Sequence, residues 1–99
     1  MDVKLVDRGT EGELILSGRI DTRTAGDAEV IFLQTADKFR DVTLNFRDVK
    51  YVSSAGLRAL QKLYLKVRNN GGELYASNVP QSISDVMEMV GLSDLFIIK

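Results

Sequence analysis

Patterns typical of strands and of helices alternate along almost the whole of this chain, and this alternation limits the folds open to it. Apolar residues in period-2 alternation at Val3 and Leu5, and again at 14–16, predict two strands. Gly9 and Gly12 lie between them and suit a tight connection, so we expect a hairpin. Helix and strand patterns take turns from there on, which is typical of an α/β domain.

Helical spacing of apolar residues indicates two helices after the hairpin, and the start and stop signals Pro80 and Gly91 indicate a third. The first spans roughly residues 24–39 and opens with Thr24-Ala-Gly-Asp27, which has the form of a capping box. The second begins at Ser54 and stops at residues 69–72. The glycine pair in this stop is not a phosphate-binding loop, because the Gly-x-x-x-x-Gly-Lys-Ser/Thr spacing is missing. The third spans roughly residues 80–89, because proline favours the first position of a helix.

The strands expected between these helices lie at 42–46 with 51–52, at 73–76 and at 95–98. The segment 42–46 is interpreted as a buried strand, so we expect it centrally in the sheet. The element order is then β-β-α-β-α-β-α-β, in a single α/β domain over residues 1–99 with a mixed β-sheet packed by α-helices. Right-handed crossovers would place the helices against this sheet.

Composition and charge exclude several classes of protein. The chain has 99 residues, of which 44% are hydrophobic and 27% are charged, so it can bury a core and is not expected to be disordered. Its 13 basic and 14 acidic residues are interspersed and give a net charge of −1. No basic field is present to neutralise a phosphate backbone, so we expect no direct nucleic-acid partner.

The residue types also limit catalysis. Histidine and cysteine are absent, which removes Ser-His-Asp and Cys-His sites, the common zinc sites and disulfides. The carboxylate pairs Glu11/Glu13 and Asp85/Glu88 are interpreted as solvated charges of turns and helix faces. We therefore expect no enzyme, no cofactor and no metal.

Segments that would direct the chain to a membrane are not evident. The N-terminus alternates apolar and charged residues, and the longest purely apolar runs, at 30–33 and 95–98, are only about four residues long. We expect no membrane insertion and, by default, a cytoplasmic location.

Two adjacent serines mark the most informative point of the chain, because the run 48–60 ends a strand pattern and opens a helix at Ser53 and Ser54. The first N–H groups of a helix lack internal partners and its N-terminus is positive, so an anion is favoured there. Serine is also a preferred N-cap, and by local preference alone this is the first interpretation of both hydroxyls. Ala55 and Gly56 are small, which would let a partner approach closely.

The run 48–60 resembles the strand-to-helix motif Asp-Ser-Ser/Ala-Gly-Leu of STAS domains of the anti-sigma-factor-antagonist type. Residues 16–22 resemble the second strand and turn of that family, and residues 90–96 resemble its Gly-Leu…Phe ending. The resemblance extends over nearly the whole chain. Two positions depart from it: Ser53 and Asn45 stand where members often carry aspartate, which thins the expected acidic cluster around the second serine.

The resemblance implies an anti-sigma factor antagonist. In its unphosphorylated form such a domain binds an anti-sigma factor that is also a serine kinase of the histidine-kinase-like ATPase fold, and so releases a sigma factor. The phosphorylated serine of the family falls on Ser54, with Ser53 as the competing acceptor. A metal-dependent serine phosphatase resets the cycle. The chain would be the substrate of both enzymes.

The expected partner-binding residues are Asp21, Ser53, Ser54, Ala55, Gly56, Arg58 and Lys62. The resemblance implies that Asp21 belongs to the recognition surface, whereas local preference favours an N-cap or Asx-turn role. The cations on the second helix either face an acidic partner or form a solvated face.

The missing aspartate at Ser53 leaves a second function open. The chain would then be a STAS scaffold that is not phosphorylated, or a small-ligand-binding module in a larger sensory, transport or envelope-linked assembly.

Overall fold

The computed structural model describes residues 1–99 and contains five strands and three α-helices. The strands are β1 (Asp2–Arg8), β2 (Glu11–Ile20), β3 (Asp41–Val52), β4 (Leu74–Ser77) and β5 (Ile97–Ile98). The helices are α1 (Ala25–Lys38), α2 (Ser54–Asn69) and α3 (Gln81–Met89), and a 3₁₀ turn (Ser93–Leu95) precedes β5. The predicted element order is confirmed.

The strands form one mixed sheet in the order β1-β2-β3-β4-β5. β1 and β2 pair antiparallel as a hairpin, and all other neighbours pair parallel. The central position predicted for the third strand is therefore confirmed. β3 is longer than expected, because residues 47–50 continue the strand although most of them are exposed.

The helices cover one face of this sheet. From β2 to β5, each new strand is added on the same side of the strand before it. Right-handed crossovers therefore place every connecting helix on the same face of the sheet. α1 packs over β2 and β3, and α2 packs over β3 and β4. The carboxyl ends of the parallel strands therefore lie at one edge, where each chain segment turns into a helix. In open α/β sheets, functional groups gather at this edge.

A core of 21 buried residues fills the space between the sheet and the helices. Its largest fully buried side chains include Phe32 of α1, Phe46 of β3, and Leu60 and Leu63 of α2. At about 25 cal/mol per Å² of buried apolar surface, this layer is the main stabilising contribution to the fold.

The opposite face of the sheet has no helix over it and is covered by polar side chains. Asn45 is only 9% exposed there and its amide contacts Glu13 and Asn78. Thr43 contacts Glu11, whose carboxylate also meets Lys99. These contacts lower the pKa of Glu11, Lys99 being the main cause. Asn45 therefore belongs to a polar network inside the sheet.

The position of Asn45 corrects the expectation that it thins an acidic cluster around Ser54. Asn45 lies seven residues before Val52, the last residue of β3. At about 3.3 Å per residue, the two are about 23 Å apart along the strand. The asparagine that stands in place of aspartate at this position changes the charge of the uncovered face of the sheet. The acidity near the serine is unaffected by it.

The predicted capping box at the start of α1 is wrong. Thr24 occupies the N-cap position, but its side chain makes no capping hydrogen bond to the helix. Its hydroxyl instead donates to the Arg19 carbonyl at 2.9 Å and accepts from the Asp21 N–H at 2.9 Å. The turn that leaves β2 therefore competes successfully for this hydroxyl, and Asp27 remains exposed.

The other element ends agree more closely with the sequence. α2 stops as predicted, because Gly71 adopts φ +81° and the Gly72 N–H donates to the Val67 carbonyl at 2.9 Å. Pro80 lies one position before α3, at its N-cap. β5 is shorter than expected because a 3₁₀ turn takes up Leu95. None of the helices is long and apolar enough to cross a membrane.

Candidate functional site

The serine pair lies where the carboxyl ends of β2 and β3 meet the start of α2. In the parallel register, Ile20 pairs with Val52, the last residue of β3. The Ser53 N–H continues this pairing by donating to the Ile20 carbonyl at 2.8 Å. The turn after β2 and the start of α2 are thereby held side by side.

Ser53 is the N-cap of α2. Its backbone is extended, and its hydroxyl accepts a hydrogen bond from the Gly56 N–H at 3.2 Å. Such a cap contributes about 1 kcal/mol to helix stability. The N-cap interpretation is thus confirmed for Ser53, which is half-buried and already has a structural partner.

Ser54 differs from Ser53 in both its exposure and its hydrogen bonding. It is the first residue of α2, it is exposed, and its hydroxyl forms no hydrogen bond with another group of the protein. The N-cap alternative therefore does not apply to Ser54. The structure presents one free hydroxyl at the start of this helix.

Gly56 is a buried packing residue and is not part of the exposed surface. It is buried, and a Cβ atom at this position would lie 2.7 Å from the Ile20 carbonyl oxygen and 2.9 Å from a methyl group of Val52. Glycine is required because α2 approaches the backbone of β2 closely. The expectation that Gly56 contacts a partner is therefore wrong, whereas Ala55 is half-exposed beside Ser54.

Asp21 lies in the turn after β2 and forms the predicted Asx turn. Its carboxylate accepts the Arg23 N–H at 3.0 Å, and this bond is the main cause of a lowered pKa for Asp21. Thr24 and Arg19 lower this pKa further, Arg19 through an ion pair of 3.6 Å. Asp21 therefore presents an ionised carboxylate at the same edge as the serines.

Arg19 and Tyr51 belong to this edge and were missed at the sequence level. The Arg19 guanidinium lies 4.4 Å from the centre of the Tyr51 ring, which is 43% exposed. Their pairing follows an irregularity in the β2–β3 register between Gly18 and Arg19. Alternation predicts the strands, but it gives no signal for a register shift of this kind.

The cations on α2 divide into two kinds. Lys62 forms an ion pair with Glu29 of α1 at 2.8 Å, and Lys66 forms one with Asp37 at 3.1 Å. Arg58 is exposed and has no partner within the chain. The structure thus pairs Lys62 with α1 while its side chain stays 59% exposed, so its place on a partner surface remains a prediction. Arg58 is left unpaired on the same helix as Ser54.

A small apolar cleft lies beside the serines, between the end of β3 and α3. It measures about 130 Å³ and is lined mainly by Tyr51, Val52, Leu57, Ile83 and Val86. Val86 is 39% exposed, so apolar surface extends from the cleft toward solvent. The edge therefore combines a free hydroxyl, a carboxylate, an unpaired guanidinium and apolar surface, which is the mixed character of a protein-binding surface.

Comparison with known proteins identifies the family. A family model described as a STAS domain matches residues 5–99. The chain belongs to the STAS domain family. The family predicted from the motifs is thereby confirmed. The element order β-β-α-β-α-β-α-β of this chain is also that of the STAS fold.

Among relatives of this STAS domain is the anti-sigma-B factor antagonist of Staphylococcus aureus (strain NCTC 8325 / PS 47), which is 31% identical over 84 residues. This match covers 84% of the chain and 78% of the relative. The anti-sigma factor antagonist SpoIIAA in its unphosphorylated form has a similar structure, with a TM-score of 0.84 and 13% identity over 99% of this chain and 88% of SpoIIAA. Phosphorylated SpoIIAA gives a TM-score of 0.77 with 13% identity, covering 99% of this chain and 91% of SpoIIAA.

Proposed function

We propose that this STAS domain is an anti-sigma factor antagonist that works by partner switching. In its unphosphorylated form it binds an anti-sigma factor with serine kinase activity, and the sigma factor held by that protein is released. Relatives named anti-sigma-B factor antagonist support this role. The domain acts in the cytoplasm, where sigma factors meet RNA polymerase.

The observation that supports the proposal most strongly is the difference between the two serines. The Ser53 hydroxyl is engaged as the cap of α2, whereas the Ser54 hydroxyl is exposed and unpaired. A kinase can reach Ser54 without breaking a bond that holds the helix. Ser54 is therefore the proposed phosphate acceptor.

Phosphorylation at Ser54 would act locally. A phosphoserine adds about −1.5 to −2 charges and considerable bulk to a surface that had a neutral hydroxyl. The positive end of α2 tolerates this charge, and no internal contact of the Ser54 side chain is lost. The complex would dissociate while the fold remains, and a metal-dependent serine phosphatase would restore the binding form. The domain itself catalyses neither step.

A second candidate follows from Ser53, which stands in place of an aspartate. A cap hydroxyl cannot supply the fixed negative charge that the family motif provides beside the acceptor. In that case the domain would bind its partners without phosphorylation, as a scaffold or a small-ligand-binding module in a larger assembly.

Complex formation with the anti-sigma factor encoded in the same genome tests the proposal. The purified, unphosphorylated chain is expected to form a stable complex with that protein in size-exclusion chromatography. Asp21→Asn should weaken the complex about tenfold or more, since it removes a charge from the proposed surface.

A matched control is Asp94→Asn, which removes an exposed carboxylate just before β5, at the opposite edge of the sheet. It should leave binding unchanged. If the two variants behave alike, the proposed surface is wrong. If no complex forms with any anti-sigma factor of the genome, the scaffold function is favoured instead.

A further inference from the structure

Arg58 is the exception among the basic residues of α2. The other three each form an ion pair with a carboxylate, at distances between 2.7 Å and 3.1 Å: Lys62 with Glu29, Lys66 with Asp37, and Arg68 with Glu73. Arg58 is exposed and takes part in no hydrogen bond, ion pair or cation–π contact of the chain. Its guanidinium is therefore available to a charge that the unmodified protein does not contain.

The position of Arg58 on the helix directs it toward Ser54. The two residues are four apart, so they lie on the same helix face with Cβ atoms about 5–6 Å apart. Side chains on a helix lean toward its N-terminus, which brings a long residue back over the preceding turn. The Ser54 hydroxyl lies in that turn and is unpaired.

The neighbouring charged groups are less suited to this role. Arg19 already contacts the Asp21 carboxylate and the Tyr51 ring. Arg23 and Lys50 are exposed and without ion pairs, but they belong to the turn after β2 and to β3. Arg58 alone shares a rigid element with Ser54 at a spacing known to favour ion pairs.

We propose that Arg58 is the intrahelical counter-ion of a phosphate on Ser54. This inference rests on the proposed function, because it concerns the modified state of the same serine. Phosphorylation then withdraws two groups from the partner-facing surface, the free hydroxyl and the free guanidinium. The local charge changes from +1 to about −1, and the phosphate is held in one place on the helix.

The test uses phosphoserine incorporated at position 54 during translation, so that it requires no kinase. ³¹P NMR follows the second ionisation of the phosphate in the otherwise wild-type chain and in Arg58→Gln. We expect Arg58→Gln to raise the midpoint by about 0.3 pH unit or more, the size typical of exposed pairs at this spacing. Arg58→Lys should retain most of the effect, and 1 M salt should remove it.

The matched control is Lys62→Gln, which removes the same charge one turn further along α2 from a residue already paired with Glu29. It should leave the midpoint unchanged. Identical midpoints for wild type and Arg58→Gln, or equal shifts for both variants, would overturn the proposal. Failure of the host to phosphorylate Ser54 would refute the proposed function, but it would leave this measurement intact.

Discussion

A negative charge at position 54 is expected to weaken binding to the anti-sigma factor by about 10²- to 10³-fold when it is a phosphate. Repulsion and bulk at a surface fitted to a neutral hydroxyl should cost about 3–4 kcal/mol, and every 1.4 kcal/mol is a factor of ten in affinity. Ser54→Asp, with one charge and less bulk, should lose about 10- to 100-fold. Isothermal titration calorimetry of the purified pair measures both effects.

Two control variants test whether the loss of affinity depends on where the negative charge is placed. Ser54→Ala keeps the surface neutral and small and should bind within about threefold of wild type, since it adds neither the charge nor the bulk that the switch requires. Ser93→Asp places the same charge on an exposed serine at the opposite edge of the sheet and should bind normally. Equal affinities for Ser54→Asp and Ser54→Ala would contradict the switch.

Gly56→Ala is expected to destabilise the domain by about 2–3 kcal/mol, which lowers Tm by roughly 10–20 °C for a chain of this size. The added Cβ would lie 2.7 Å from the Ile20 carbonyl oxygen, closer than real Cβ contacts. That carbonyl also accepts the Ser53 N–H at 2.8 Å, so neither the strand nor the helix can shift without loss of this bond. Thermal and urea unfolding followed by circular dichroism measure the change.

Gly26→Ala is the matched control, because Gly26 is also a helical glycine but is exposed with open space around it. The same substitution should there leave the stability unchanged or raise it by up to about 0.5 kcal/mol, because Gly26 lies in the first turn of α1 and gains only part of the interior helix propensity. The difference between the two variants therefore isolates the close approach of α2 to β2. Equal stability of the two variants would show that this approach is not tight in solution.

The parts of the fold that depend on local patterns are predictable from the sequence. Alternation at Val3, Leu5 and residues 14–16 gives the hairpin, helical spacing gives α1 and α2, and Pro80 and Gly91 give α3. The full length of β3 is not predictable in this way. Residues 47–50 are mostly polar and exposed, and the stretch stays extended because Asp48 and Val49 pair with Ser17 and Gly18 of β2. Long-range pairing of this kind overrides local propensity.

The candidate site is predictable only in its location. The motif at Ser53 and Ser54 indicates a helix start, but only the structure distinguishes the capping hydroxyl from the free one. The sequence shows that Gly56 is small, and the close contact with Ile20 shows why. The ion pair between Lys62 and Glu29 joins two helices, so no local spacing rule reveals it.

Phosphate mapping tests the central claim most directly. The chain is incubated with the anti-sigma factor and ATP, and intact-mass and fragment mass spectrometry are applied to wild type, Ser54→Ala and Ser53→Ala. We expect one phosphate on wild type and on Ser53→Ala, located at Ser54, and none on Ser54→Ala. A phosphate that persists in Ser54→Ala, or its absence from wild type both here and in chain isolated from the native host, would contradict the claim.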